Sequence, residues 1–161
     1  MPDDVAKPDW AAALGKIPSG LFVITITNHR QETGFLASWV QQCSFDPPQL
    51  TFAVNNQRPI REWLAEGVAV TVNVIPEGGK ALVAHFGKGF APDEPAFEGI
   101  EVERSRGSAP CLRAALAWLK ARVVSHHDVG DHTLVIVRVV EGQVLHDGKP
   151  TVHVRRDGTK Y

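Results

Sequence analysis

A mainly β fold, an antiparallel barrel of at least six strands with two or three small helices, is predicted by three features of the sequence. Segments dense in β-branched residues place side chains alternately on two faces, as in residues 21–27 and 133–140. Proline and glycine punctuation recurs at short intervals, at 18–20, 46–48, 78–79 and 87–99. Stretches with helical composition are short. With 161 residues, 43% of them hydrophobic, the chain can bury one core, and a single domain over 1–161 is expected.

The elements follow in order. Asp9 is placed to cap a short helix through Lys16, because the Ala-Ala-Ala-Leu run has high helix propensity. Residues 21–27 then read as a strand, with Phe22, Ile24 and Ile26 on one side and Val23, Thr25 and Thr27 on the other. Polar residues 29–33 read as a hairpin loop. The return strand is expected from Gly34 to about Ser44, ending at Asp46-Pro47-Pro48, since proline cannot continue a ladder. A strand over 49–55 follows. Pro59 suits the first turn of a short helix to Glu66, with Ile60, Trp63 and Leu64 as its apolar stripe.

Residues 68–75 form the next expected strand, and 80–86 the next helix. The run 112–124 has helix-forming composition, yet Ala117, Leu119, Ala121 and Val123 alternate with Trp118, Lys120 and Arg122, which favours a strand. A polar turn is expected at 126–131, then the strand 133–140, then a turn at Glu141-Gly142 before 143–145.

Composition narrows the function. The formal net charge is −1 and the basic residues are scattered, so neither nucleic acid nor an anionic membrane surface is an expected partner. The acidic start, with Asp3, Asp4 and Asp9, does not resemble a secretory leader. The longest apolar runs fall far short of the roughly 20 residues that span a bilayer. Cys43 and Cys111 are too few for a disulfide framework or a thiolate metal site, and the expected compartment is the cytoplasm. Histidines crowd at 126, 127 and 132 beside Asp128, but without the spacing of metal ligands, and no metal site is expected. A resident dinucleotide-binding G-x-G-x-x-G, a phosphate-cradling G-x-x-x-x-G-K and a G-x-S-x-G nucleophile elbow are all missing.

The informative segment is Gly34-Phe-Leu-Ala-Ser-Trp-Val-Gln-Gln-Cys-Ser-Phe-Asp-Pro-Pro-Gln-Leu. With Asn55 to Pro59, His85-Phe86-Gly87-Lys88 and Gly130-Asp131-His132 ahead of a hydrophobic strand, it resembles the flavin reductase-like family of FMN-binding split barrels. The Ala-Ser-Trp-Val run, Lys88 to Pro92 and an Arg-x-x-Gly-x-x-Tyr tail are similar in particular to the flavin reductase-like module at the carboxyl end of cyanobacterial-type flavodiiron proteins. The resemblance runs from Ala12 to Tyr161 and implies a six-stranded antiparallel split β-barrel of Greek-key, FMN-binding type.

It also implies a site. Leu36, Ala37, Ser38 and Trp39 would line the flavin ring and ribityl chain, and Gln42, Cys43 and Ser44 would offer main chain to the ring edge. FMN's phosphate needs cations or amide donors; Arg58 and Lys88 sit in the two segments that follow the family's phosphate-contacting stretches, Asn55 adds polar capacity, and Phe86 is a further cofactor-binding residue. His132 would orient the nicotinamide or the flavin, with no strong acid or base required because flavin itself accepts the hydride. Read alone, Ser38 and Ser44 are ordinary strand residues, Cys43 a small core residue, and Arg58 and Lys88 surface cations. The implied cofactor is FMN, with FAD as the variant, and NADH or NADPH is the transient co-substrate. Two functions are consistent with this slot, an NAD(P)H-dependent flavin reductase or a non-catalytic electron-transfer module serving an acceptor protein. A homodimer is expected, because a small barrel cannot easily cover four tryptophans and its apolar strands.

Overall fold

A computed structural model describes residues 6–160. The amino-terminal part holds α1 (Asp9–Gly15), β1 (Ser19–Gly20), β2 (Phe22–Asn28), β3 (Gln31–Ala37), β4 (Val40–Ser44) and β5 (Gln49–Asn55). A 3-10 helix at Pro59–Trp63 leads to β6 (Ala69–Val74) and α2 (Lys80–Phe86). Two short strands, β7 (Val102–Glu103) and β8 (Cys111–Leu112), precede the long pair β9 (Ala117–Val129) and β10 (His132–Val144), and β11 (Val152–His153) closes the series.

Seven strands form one antiparallel sheet in the order β3-β2-β6-β9-β10-β5-β4, so the main ladder has one strand more than expected. The stretch 34–44 is not one strand. It breaks at Ser38-Trp39, and its halves lie on opposite edges of the sheet. Three Cα steps join Ala37 to Val40, a reach of about 11 Å, whereas the edges of a flat seven-stranded sheet would lie about 29 Å apart at 4.8 Å per strand. The sheet must therefore roll up. Phe35 on β3 and Phe52 on β5 meet with ring centroids 6.3 Å apart although five strand spacings separate them in the ladder. No ladder pairs β3 with β4, so the rolled sheet is open along this seam.

Rolling creates two cores. Ile24, Ile26, Phe52, Val72, Val123 and Val135 fill the interior, while Val23, Ile75, Leu82, Phe86 and Leu112 pack between the outer face and α2. Strand β2 is consequently buried on both sides: Thr25, on the outward face, donates to the Pro110 carbonyl at 2.5 Å. Asn73 on β6 donates to Val23 O of the neighbouring β2 at 3.0 Å and accepts from Leu112 N–H, in the segment 109–112 that covers this face, at 2.8 Å.

Several local expectations are corrected. Asp9 is not the cap; Pro8 holds that position in extended conformation and Asp9 sits in the first turn, where its charge suits the helix dipole. The 29–33 loop contracts to a two-residue turn at His29-Arg30, with His29 at φ 55°, because Asn28 already pairs with Gln31. The helix after Pro59 is 3-10 and stops at Trp63, although Ile60 and Leu64 are buried as the stripe requires. In 112–124 the strand begins at Ala117. Helix-prone Ala and Leu residues are held extended there by ladders to β6 on one side and β10 on the other, so tertiary pairing overrides propensity. The same pairing carries β9 through His126–Asp128 and β10 through Glu141-Gly142, so the only reversal is at Gly130-Asp131. The ladder absorbs the Glu141 region as a register shift.

Candidate functional site

The seam produces the site. Where β3 leaves one edge, Phe35, Leu36, Ala37 and Ser38 form one wall of a cavity of about 310 Å³. Ala53, Val54 and Asn55 of β5, Arg58 beyond it, and Val83, Phe86 and Gly87 of the α2 end complete it. Leu36 and Phe86 are here because α2 packs on the outer face of β3. Arg58 is brought in by a tight turn after β5, in which Asn55 Oδ1 accepts from Gln57 N–H at 2.9 Å and Arg58 N–H donates to Asn55 O at 3.0 Å. Its guanidinium lies 5.7 Å from the Phe35 ring centroid.

On the far side of Ser38 and Ala53, which border both spaces, lies a wider cavity of about 1050 Å³. It is walled mainly by apolar groups, with Trp39, Asp131, His132 and Arg155 as its aromatic and charged features. The rings of Trp39 and His132 lie 4.9 Å apart at 45°, and the Arg155 guanidinium lies 5.1 Å from the Trp39 centroid. His132 is 7% exposed, and its Nδ1 lies 2.7 Å from Asp131 Oδ1. The hydrogen bond from His132, reinforced by its charge, holds the Asp131 carboxyl below the usual carboxylate range. Next to this hairpin end, Asp128 is held low by hydrogen bonds from Arg61 and Thr133, which tie the 3-10 helix to β10.

The structure thus brings together Leu36, Ala37, Ser38, Asn55, Arg58 and Phe86 in the narrow cavity and Trp39 with His132 in the wide one. Lys88 lies exposed one residue beyond the lining Gly87. Gln42, Cys43 and Ser44 border neither cavity; they run along the free edge β4, where Gln42 and Cys43 are exposed. Sequence reading missed Phe35, Val83, His153 and Arg155. Arg155 had a signal, as the first residue of the Arg-x-x-Gly tail. His153 had none.

Ser38 is the site's diagnostic residue. It is 6% exposed, and its Oγ has no hydrogen-bond partner among the described residues. Burying an unpaired hydroxyl costs about 1–3 kcal/mol, so a hydroxyl kept at the junction of two cavities suits a polar ligand lying across it.

A family model described as "Flavin reductase like domain" matches residues 14–160. The chain belongs to the flavin reductase-like family. Diflavin flavoprotein A 1 of Synechocystis sp. is 36% identical over 155 residues, an alignment covering 95% of this chain and 27% of that protein. The chain therefore spans about a quarter of the length of the curated relatives it matches. Among solved structures, the NADH:FAD oxidoreductase SgcE6 of Streptomyces globisporus C-1027 shares the fold at TM-score 0.81 and 21% identity, over 89% of this chain and 85% of that one. Nitrilotriacetate monooxygenase component B from Mycobacterium thermoresistibile matches at TM-score 0.78 and 26% identity, over 90% and 80%. What this flavin reductase-like chain shares with those structures is the fold.

Replacing Ser38 with alanine removes the unpaired hydroxyl, and the ligand-free protein should gain about 1 kcal/mol of stability in urea titration. A loss of stability would show that the hydroxyl is satisfied in solution and is not reserved for a ligand.

Proposed function

We propose that this chain is a flavin reductase that holds FMN at the two adjoining cavities and draws hydride from NADH or NADPH. The observation that carries this reading is the buried, unpaired hydroxyl of Ser38, a residue that borders both a narrow cavity lined by Arg58 and a wide one lined by His132 and Trp39. When bound, FMN supplies the ring that accepts hydride and returns electrons to an acceptor such as free flavin, oxygen, ferric iron or a partner enzyme. The residues fit such a group. Leu36, Ala37 and Phe86 exclude water from the narrow cavity, Ser38 offers its unpaired hydroxyl, and Asn55, Arg58 and Lys88 attract and orient the phosphate. FAD would use the same narrow cavity and extend its second phosphate and adenosine outward.

His132 positions the arriving nicotinamide. Asp131 and Trp39 fix its ring from two directions, so it can meet a second planar ring with little reorganisation. Solved relatives of this fold include SgcE6 in complex with NAD and FAD fragments, which supports a nicotinamide nucleotide as reductant. A second reading has its own observation. The curated relatives are diflavin flavoproteins about four times as long, which suits a module that passes electrons to a partner site without turning over nicotinamide itself.

A homodimer follows from what the chain leaves uncovered. Phe45 is 91% exposed beside the unpaired edge β4, and Val140 and Val144 stand out from the end of β10. An apolar patch flanking an open edge is a two-fold interface in waiting, and covering it would bring the Gln42 to Ser44 main chain against a neighbour. A cytoplasmic setting suits two unpaired cysteines; separately, among the described residues no helix is long and apolar enough to cross a membrane.

Steady-state oxidation of NADH and NADPH with free FMN tests the reductase reading; turnover equal to buffer with both nucleotides leaves the electron-transfer module. His132→Ala should slow flavin reduction about tenfold or more while changing FMN affinity by no more than a few-fold, since positioning contributes to the reaction and not to phosphate binding. Arg58→Ala and Lys88→Ala should weaken FMN by about tenfold and leave riboflavin nearly unchanged, because only FMN carries the phosphate; equal losses for both ligands remove these residues from the phosphate site. Sedimentation velocity at micromolar concentration should show a dimer, and a monomer that still binds FMN at full strength defeats the interface.

A further inference from the structure

We infer that Arg155 is the anion anchor of the wide cavity, and that the reductant it selects is a phosphate-bearing dihydronicotinamide, a nucleotide and not the bare ring. The inference rests on the proposed reductase reading for the identity of the ligand, but its geometry is independent of that reading.

Three observations converge on this residue. The rest of the wide cavity's wall is uncharged apart from Asp131 and His132, which are paired with each other at 2.7 Å. Arg155 is half-buried at the same cavity, and among the described residues no carboxylate forms an ion pair with it. Asp157, two residues on, is committed elsewhere: Lys7 Nζ lies 2.5 Å from its Oδ2, and Thr159 donates to its Oδ1. An arginine in a largely uncharged wall, with no ion-pair partner among the described residues, leaves the cavity with a net attraction for an anion.

The guanidinium is also held in place. Stacking on Trp39 fixes its plane and leaves the N–H edges to bind. The backbone behind it is clamped, since Gly158 N–H donates to Ala11 O at 2.6 Å. A side chain at either clamp glycine would collide, with a Cβ on Gly158 falling 2.2 Å from Leu14 Cβ and one on Gly15 falling 2.7 Å from Asp157 Cα. Tail and helix α1 therefore dock backbone to backbone, and Arg155 hangs from a rigid support. Trp39 touches both groups, with the Arg155 guanidinium 5.1 Å and the His132 ring 4.9 Å from its ring centre, so one indole links the anion anchor to the imidazole proposed to orient the reacting ring. A ligand with a planar ring at one end and a diphosphate at the other matches that order. A guanidinium offers two parallel N–H donors to such a phosphate, which lysine cannot.

The probe is ADP-ribose, which carries the diphosphate without the redox ring, measured by calorimetry on the full chain. Wild type should bind it, Arg155→Ala should bind at least about tenfold more weakly, and Arg155→Lys should fall between them. A parallel arm uses inorganic phosphate; if it binds as tightly as ADP-ribose, the site is a simple phosphate site and the nucleotide assignment is overturned. Equal ADP-ribose affinity in wild type and Arg155→Ala, or no binding by wild type, overturns the anchor itself. An uncharged dihydronicotinamide, 1-benzyl-1,4-dihydronicotinamide, should reduce flavin equally well with wild type and Arg155→Ala, whereas the KM for NADH rises in the variant. Loss with the uncharged reductant as well would mean that the substitution damages the fold or the wall and would also count against the anchor. A chain that binds ADP-ribose through Arg155 yet oxidises no dihydronicotinamide refutes the reductase reading and leaves the anchor standing.

Discussion

Two residues, Ser38 and Trp39, join the opposite edges of a seven-stranded sheet, and that short covalent link governs the rest of the molecule. A link of this length forces the sheet to roll until β3 and β4 come within its reach. Rolling encloses Ile24, Phe52 and their neighbours in one core and turns the outer face of β2 toward α2 in another. The link belongs to neither edge strand and is held to β5 by one bond, Ala53 N–H to Trp39 O at 3.2 Å, so it is the place where the wall is weakest. Its two side chains fall to the two sides of the opening, Ser38 at the junction of both cavities and Trp39 in the wider one.

The open seam would weaken the fold unless something held its ends. Part of that work is done by the covering segment 109–112, tied down by Thr25, Thr71 and Asn73, whose polar side chains on an outward sheet face are buried and hydrogen-bonded. The remainder comes from the chain ends. Strands β1 and β11 pair, Gly158 meets α1, and Lys7 bridges to Asp157. These contacts join residues about 150 positions apart, and they set the rim of the wide cavity. Stability at the ends and the shape of the site are therefore one structural problem.

Charge is distributed sparingly around the seam. Arg58 serves the narrow cavity, Arg155 the wide one, and His132 is engaged by Asp131 between aromatic and acidic neighbours. Each cation is stacked on an aromatic ring, Phe35 or Trp39, which limits its rotamer freedom while leaving its hydrogen-bond donors exposed to a ligand. This arrangement gives two cationic points and, among the described residues at the cavities, two buried unpaired hydroxyls, Ser38 and Thr51, a pattern suited to a long ligand with planar and phosphorylated parts.

The sequence by itself determined the strands whose signal is local. Residues 49–55 and helix 80–86 stand where alternation and the Gly78-Gly79 break put them, and β2 and β6 are within a residue or two. It also determined the family and the identity of Ser38, Trp39, Asn55, Arg58, Phe86 and His132 as residues of one neighbourhood, because their motifs occur together and in order. Tertiary structure decided what local chemistry leaves open. Residues 34–44 read as one strand since nothing in their composition says that Ser38-Trp39 crosses between edges; that crossing depends on which strands lie between β3 and β4, a property of the whole ladder. The extended state of Ala117–Val129, the continuation of β10 past Glu141 and the placement of Gln42 and Cys43 on an exposed edge are likewise set by cross-strand partners far away in sequence. Arg155 and His153 reach the cavities only because the carboxyl-terminal tail pairs with β1 and docks on α1; the Arg-x-x-Gly run marks Arg155 as part of a motif but does not say which cavity it borders.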